Sequence, residues 1–375
     1  MKRLSRILIL ILSPAVILVS CIGVGEGSGA LPTWTKQLGA SGKYTVAYGV
    51  AVDPSGNVYV AGYTSGGLDG NTLTGPYDFF VTMYDSSGNK VRTKQLGVSG
   101  KYTVAYGVAV DSSGNVYVAG STSGGLDGNT LTGTYDFFVT MYDSSGNKVR
   151  TKQLGVSGKY TVARGVAVDP SGNVYVAGYT SGGLDGNTLT GTYDFFVTMY
   201  DSFGNKVRTK QLGVSGQDTF ATGVAVDPSG NVYVVGSTNG GLDGNTLMGT
   251  TDFFVTKYDS SGNKVRTKQL GVSGKDTYAY GVAVDPSGNV GVGGCTFGGL
   301  DGNTLRGPYD FFFTTYDSSG NKERTKQIGL SGKDNDVRGV AVDPSGNIYM
   351  AGYTTCGLDG NTLAGLSDFF VTKYD

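Results

Sequence analysis

Gly49-Val50-Ala51-Val52-Asp53-Pro54-Ser55-Gly56-Asn57-Val58-Tyr59-Val60-Ala61-Gly62 decides the fold of this 375-residue chain. Two β-branched runs alternate with period two and flank the turn residues Pro54-Ser55-Gly56, which predicts a tight antiparallel hairpin. The phrase returns with its Asp at 53, 111, 169, 227, 285 and 343, a constant step of 58 residues. A period of this size signals an array, a solenoid or a propeller. Within the same unit, Asp78-Phe79-Phe80-Val81-Thr82-Met83-Tyr84 and Val91-Arg92-Thr93-Lys94-Gln95-Leu96 form a second pair of runs across Asp85-Ser86-Ser87-Gly88-Asn89-Lys90. Each unit therefore supplies four antiparallel strands, A to D. No window has helical periodicity over a helix length, and 64 glycines make long helices costly. The class is all-β, and four strands per unit with six units predicts a six-bladed propeller.

The ends sharpen this prediction. Residues 33 to 375 number 343, five short of six whole units, and the missing five correspond to Ser86-Ser87-Gly88-Asn89-Lys90, one C-to-D turn. Thr33-Trp34-Thr35-Lys36-Gln37-Leu38 repeats the closing segment of the internal units, so it is expected to pair as strand D with strand C at 368 to 374. An open solenoid would instead expose edges and need polar caps.

Residues 1–20 read as a secretion signal. Lys2, Arg3 and Arg6 precede an apolar run from Ile7 to Val19 that is too short to span a bilayer. Leu18-Val19-Ser20-Cys21 resembles the bacterial lipobox, which implies that the signal is removed and Cys21 lipidated; the alternative is an ordinary signal with an incidental Cys. Residues 21–32 then form the lipidated Cys and a Gly-rich tether reaching about 18 Å, and 33–375 the propeller. The expected address is the bacterial cell envelope, lipid-anchored, at the outer membrane or cell surface. Subtracting the signal's three basic residues from 29 Lys+Arg leaves 26 against 30 Asp+Glu, a net charge near −4. No basic block interrupts this balance, so nucleic acid is not an expected partner. Cys295 and Cys356 are the remaining cysteines, at unequal positions of adjacent units, and do not make a disulfide framework.

The phrases Gly-Val-Ala-Val-Asp-Pro-Ser-Gly-Asn-Val-Tyr-Val-Ala-Gly, Asp-Phe-Phe-Val-Thr-Met-Tyr-Asp-Ser-Ser-Gly-Asn and Trp34-Thr35-Lys36-Gln37-Leu38-Gly39 together resemble the bacterial β-propeller repeat called the SBBP repeat. The resemblance implies an exported or surface-attached propeller, mostly without assigned chemistry. Two departures stand out. The aromatic at Trp34 is Arg92, Arg150, Arg208, Arg266 and Arg324 in later copies, and the family name implies seven blades where this chain has six units.

The A-to-B and C-to-D turns are short and share one rim. The long B-to-C and D-to-A loops share the other, which is the candidate binding face. Just before strand A the copies differ: Tyr48, Tyr106, Arg164, Thr222, Tyr280 and Arg338. If strand A is innermost, these residues ring the channel mouth. Upstream lie Lys43, Lys101 and Lys159, with Gln217, Lys275 and Lys333 in later copies. Tyr, Arg and Lys could stack on sugars or hold acidic groups, so a protein or glycan ligand is expected; drift on a solvated loop is the bland alternative.

The loop core Leu68-Asp69-Gly70-Asn71-Thr72-Leu73 recurs in all six units. Its Asp-x-Asn pairs, Asp69/Asn71, Asp127/Asn129, Asp185/Asn187, Asp243/Asn245, Asp301/Asn303 and Asp359/Asn361, offer oxygen ligands for Ca²⁺ or, alternatively, make a turn by bonding to local backbone. Catalysis is poorly supplied: the chain has no His, and the cysteines lack an imidazole partner. The expectation is a non-enzymatic, lipid-anchored binding propeller. A carboxylate-based polysaccharide hydrolase or lyase acting in the channel, and a structural envelope protein with calcium loops, are the alternatives.

Overall fold

A computed structural model describes residues 33–329, 336–342, 347–355, 357 and 360–374. The first strand, β1, is Trp34–Leu38; β2 Thr45–Val52, β3 Val58–Thr64, β4 Asp78–Tyr84 and β5 Lys90–Leu96 follow. The same quartet recurs as β6–β9 (103–154), β10–β13 (161–212), β14–β17 (219–270) and β18–β21 (277–329), and β22–β24 (336–374) end the chain. These strands form six four-stranded antiparallel sheets. Five are consecutive quartets, and the sixth has the order β1-β24-β23-β22. The result is a six-bladed propeller closed by its N-terminal strand.

The short turns are fixed by their aspartates. Asp53 Oδ1 accepts from the backbone N–H of Ser55 and Asn57, both at 2.9 Å, and Oδ2 from Asn57 Nδ2 at 2.8 Å. Asp85 makes the equivalent bonds in the second turn. The carboxylate thereby satisfies amides that would otherwise have no partner where the strand reverses.

Blades adhere through two devices. Phenylalanines from successive blades stack: Phe79 on Phe138 at 5.0 Å, Phe137 on Phe196 at 5.1 Å, Phe195 on Phe254 at 5.1 Å and Phe253 on Phe312 at 4.9 Å. Nearer the axis, strand A of one blade lies against strand A of the next, backbone to backbone. A Cβ at Gly49 would sit 3.2 Å from the Tyr106 carbonyl, one at Gly107 3.1 Å from the Arg164 carbonyl, and one at Gly339 3.0 Å from the Tyr48 carbonyl. This spacing is why glycine stands there, and it places β2, β6, β10 and β14 innermost.

The sixth blade reproduces the bonds of the others without a covalent turn. β1 runs antiparallel to β24 from Trp34↔Lys373 to Leu38↔Phe369. Gln37 Nε2 donates to Asp368 at 3.0 Å, as Gln95 does to Asp78 at 3.1 Å. Thr35 meets Thr372 at 3.1 Å, as Thr82 meets Thr93 at 3.0 Å. Phe369 stacks on Phe80 of the first blade at 4.9 Å, completing the contact between last and first blades.

One boundary differs from expectation. Strand A begins at Thr45, so Tyr48 and its counterparts lie inside it and not before it. The register slips between Ala47 and Gly49, which face Gly62 and Ala61, leaving Tyr48 as the extra residue of a β-bulge. The bulge breaks the period-two pattern, and it turns residue 48 out of the ladder toward the neighbouring blades.

Candidate functional site

The two long loops of each blade interlock with those of the next. The backbone N–H of Thr103 donates to the Tyr77 carbonyl at 2.9 Å, and Tyr77 and Tyr102 form an isolated parallel bridge; Tyr135 with Tyr160 and Tyr193 with Asp218 repeat it. The rim is therefore a connected surface on a rigid ring.

At its centre the bulge residues approach one another across blades. Tyr48 and Tyr106 lie 5.1 Å apart, the Arg164 guanidinium stands 4.0 Å over the Tyr106 ring, and that of Arg338 lies 5.9 Å from Tyr48. The other two positions hydrogen-bond elsewhere. Thr222 donates to the Ala279 carbonyl at 2.8 Å, and the Tyr280 hydroxyl meets the buried free thiol of Cys295 at 3.0 Å. Burial is the first cause that pushes the Tyr48, Tyr63 and Tyr106 phenols above their usual range, so they stay protonated at neutral pH.

From this centre an aromatic strip runs outward. Tyr48 stacks on Tyr63 at 6.0 Å, Tyr63 meets Tyr77 at 4.6 Å, and Tyr77 meets Tyr102 at 5.1 Å. A second cluster joins Tyr179, Tyr193 and Phe220 at 4.8 to 5.6 Å. Sequence reading did not single out Tyr63, Tyr77, Tyr179 or Phe220, because their contacts join distant strands and loops, within a blade for Tyr48–Tyr63–Tyr77 and across blades for Tyr77–Tyr102 and Tyr179–Phe220. The signal was present in the copies: where Tyr63 and Tyr179 stand, other blades carry Ser121, Ser237 and Cys295.

Lys43, Lys101 and Lys159 do not join this ring. Their stems lie over the B-to-C loop glycines, so that a Cβ at Gly66 or Gly124 would come within 2.8 Å of the Lys43 or Lys101 Cγ.

The Asp-Gly-Asn loops are built as turns. Asp69, Asp127, Asp185, Asp243 and Asp301 adopt φ near +55°, and each carboxylate pairs with a lysine, Lys90, Lys148, Lys206, Lys264 or Lys322. Asn71, Asn129, Asn187, Asn245 and Asn303 donate their side-chain amides to the carbonyl three residues back at 2.8 Å. Asn361 donates to Thr35. A cation at any of the five Asp positions would have to displace an ammonium. Cys21, Cys356 and Asp359 lie outside the described residues.

The other repeated acids are also engaged. Asp78 is buried and accepts from the backbone of Thr74 and Gly75 and from Gln95. The inner strands β2, β6, β10, β14 and β18 carry no Asp or Glu, and the sixth, β22, begins at Asp336.

The family model described as "SBBP: Beta-propeller repeat" matches six times, at residues 33–69, 91–127, 149–185, 207–243, 265–298 and 323–358. The chain belongs to the SBBP beta-propeller repeat family. Each SBBP match begins in the outer strand of one blade and ends near the Asp-Gly-Asn loop of the next, so it spans a blade boundary and includes one bulge residue.

This SBBP propeller is similar to the regulatory protein FlaEY of Caulobacter vibrioides, 27% identical over 372 residues, covering 85% of this chain and 37% of that protein. The chain thus spans little more than a third of that relative's length. Among solved structures it is similar to a protein of unknown function from Dyadobacter fermentans, at 11% identity and a TM-score of 0.55, covering 92% of this chain and all of that one. It is also similar to a gluconolactonase from Xanthomonas campestris, at 12% identity and a TM-score of 0.47, covering 93% and 99%. At these identities the structural likeness concerns the fold alone.

Proposed function

We propose that this SBBP propeller is a non-enzymatic recognition module of the bacterial cell envelope, lipid-anchored through Cys21, that binds a protein or glycan on its long-loop rim. The observation that carries the reading is the aromatic strip Tyr106–Tyr48–Tyr63–Tyr77–Tyr102, a series of ring contacts of 4.6 to 6.0 Å running from the channel mouth to the rim edge. Tyr102 at its outer end is 43% exposed, a poor use of a large ring unless something covers it. Rim aromatics also meet in later blades, in Tyr135–Tyr160, Tyr179–Tyr193–Phe220 and Tyr278–Phe297–Tyr309, but the Tyr48–Tyr63–Tyr77–Tyr102 series is particular to blade 1, whereas the repeated acids are bonded alike in successive blades. That contrast supports recognition over hydrolysis.

The test replaces Tyr63 and Tyr77 by Ser and Thr, the residues that blades 2 and 4 carry at Ser121 and Thr251, so folding should be preserved. Glycan and protein arrays are then probed with the full mature chain. A ligand bound by wild type and lost by the double variant at unchanged melting temperature supports the proposal. A ligand retained by the variant, or polysaccharide turnover by wild type, contradicts it. Cys21→Ser should release the protein from membranes, and unchanged partition would contradict the anchor.

A further inference from the structure

We infer that the channel mouth holds an anion subsite built on Arg164, and that the ligand of the rim is therefore an acidic glycan. The inference rests on the rim being a recognition face and names the ligand class for it.

Arg164 is held but unspent. Its guanidinium lies 4.0 Å from the Tyr106 ring and 5.8 Å from Tyr179, and among the described residues it forms no ion pair and no hydrogen bond. The outer-strand arginines behave differently. Arg92, Arg150, Arg208 and Arg266 each donate to a carbonyl of the next blade at 2.7 to 2.8 Å. A half-buried cation carrying several N–H donors is costly to leave without a partner. Ring faces occupy the face of the guanidinium and leave its in-plane donors for a carboxylate or phosphate, which they match as a fork.

The surrounding charge agrees. Around the mouth the order is Arg338, Tyr48, Tyr106, Arg164, so two cations flank two rings. Carboxylates enter in the loops leading to blades 4, 5 and 6, where Asp218, Asp276 and Asp334 stand at the position of Tyr44, Tyr102 and Tyr160, and β22 begins at Asp336, two residues before Arg338. An acidic group is thus drawn to the sector of blades 1 to 3, where Arg164 stands beside Tyr106 and Tyr48, and repelled from the acidic loops of the later blades.

A small anion would use Arg164 and leave the strip bare. A chain of sugar rings bearing an acid uses both, its apolar faces on Tyr48 and Tyr63 and its anionic group at Arg164. A neutral sugar of the same shape would cover Arg164 without satisfying it, and this is the kind of mismatch that discriminates strongly.

The experiment titrates the full mature chain, in detergent, with glycans bearing uronate, sialate or phosphate and with their neutral parents, using calorimetry. Arg164→Tyr and Arg164→Thr are the variants, because Tyr and Thr already occupy this position in other blades. Phe203→Ser, at a residue 82% exposed on the short-turn rim, is the control. At least one acidic glycan should bind about tenfold or more tighter than its neutral parent, and both Arg164 variants should remove that margin while Phe203→Ser keeps it. Arg164→Lys should recover part of it, since it returns charge without the fork. No acidic preference in wild type, or a preference kept by Arg164→Tyr, overturns the inference. If a neutral glycan or a protein is bound and lost with Tyr63 and Tyr77, the acidic-ligand inference falls while the recognition face stands. If nothing depends on either set, both fall.

Discussion

Blade 5 carries a natural pair of compensating changes whose coupling can be measured. In four of the other blades a buried tyrosine, such as Tyr59 at 2% exposure, donates its hydroxyl to the turn aspartate, here Asp53 at 3.1 Å. Blade 5 has Gly291 there, and the neighbouring valine position, Val81 in blade 1, is Phe313. The Phe313 ring fills the vacated space: a Cβ at Gly291 would lie 2.8 Å from its Cζ. Phe313→Val alone empties that space and should cost about 1–2 kcal/mol. Gly291→Tyr alone drives a phenol into an occupied site and should cost about 2 kcal/mol or more. Together they recreate the packing of blade 1 and return a hydrogen bond to Asp285. The double variant should therefore be about 2 kcal/mol more stable than wild type, with a coupling energy of about 5 kcal/mol or more. Differential scanning calorimetry reads this at roughly 2 °C per kcal/mol for a chain of this size. Additive single effects, or a double variant less stable than either single one, would refute the reasoning that Phe313 substitutes for the missing tyrosine.

Further expectations concern closure, metal and pH. Trp34 packs its indole against Tyr84 and Tyr349, at 6.4 and 6.1 Å, where blades 1 to 4 use a partly buried arginine. Trp34→Ala should cost about 2 kcal/mol and Arg92→Ala about 1 kcal/mol or less in urea unfolding; equal losses would contradict a special role for the closing strand. EDTA or added calcium should move the melting temperature by less than about 1 °C, because lysines hold the loop aspartates; a larger calcium-dependent rise would indicate a site. Asp85, Asp143, Asp201, Asp259 and Asp317 are held below the usual carboxylate range by hydrogen bonds from the asparagine four residues on. A depressed carboxylate stabilises the fold above its unfolded value of about 3.9 and loses that stabilisation as pH falls through the lower folded value. Melting temperature should thus drop progressively below about pH 4, less steeply in Asn147→Ala; identical acid slopes would contradict this.

The fold was legible because a 58-residue repetition exposes the blade directly and the shortfall at the ends named the closing pair. Where reading failed, a long-range or register effect intervened. The start of strand A was hidden by the bulge at Tyr48, which puts Thr45–Ala47 out of phase with Gly49–Val52. The turn nature of Asp69-Gly70-Asn71 could be read locally, but its lysine partner, Lys90, is supplied by another strand of the sheet. The aromatic strip was illegible because Tyr48, Tyr63 and Tyr77 are far apart in sequence and meet only when blade 1 folds, and its two ends, Tyr106 and Tyr102, join only when blades adjoin. Copy-to-copy comparison holds more of this than composition does: Gly291 and Phe313 depart together, in one blade, because they touch.

The central claim is that recognition belongs to one sector of the long-loop rim. Hydrogen–deuterium exchange of the mature chain, with and without a saturating acidic glycan, tests it most directly. The account predicts added protection confined to residues 44–48, 63–77, 102–106 and 160–164, with the short turns at 53–57 and 85–90 unchanged. Protection on the short turns, or spread evenly over all six blades, would contradict it.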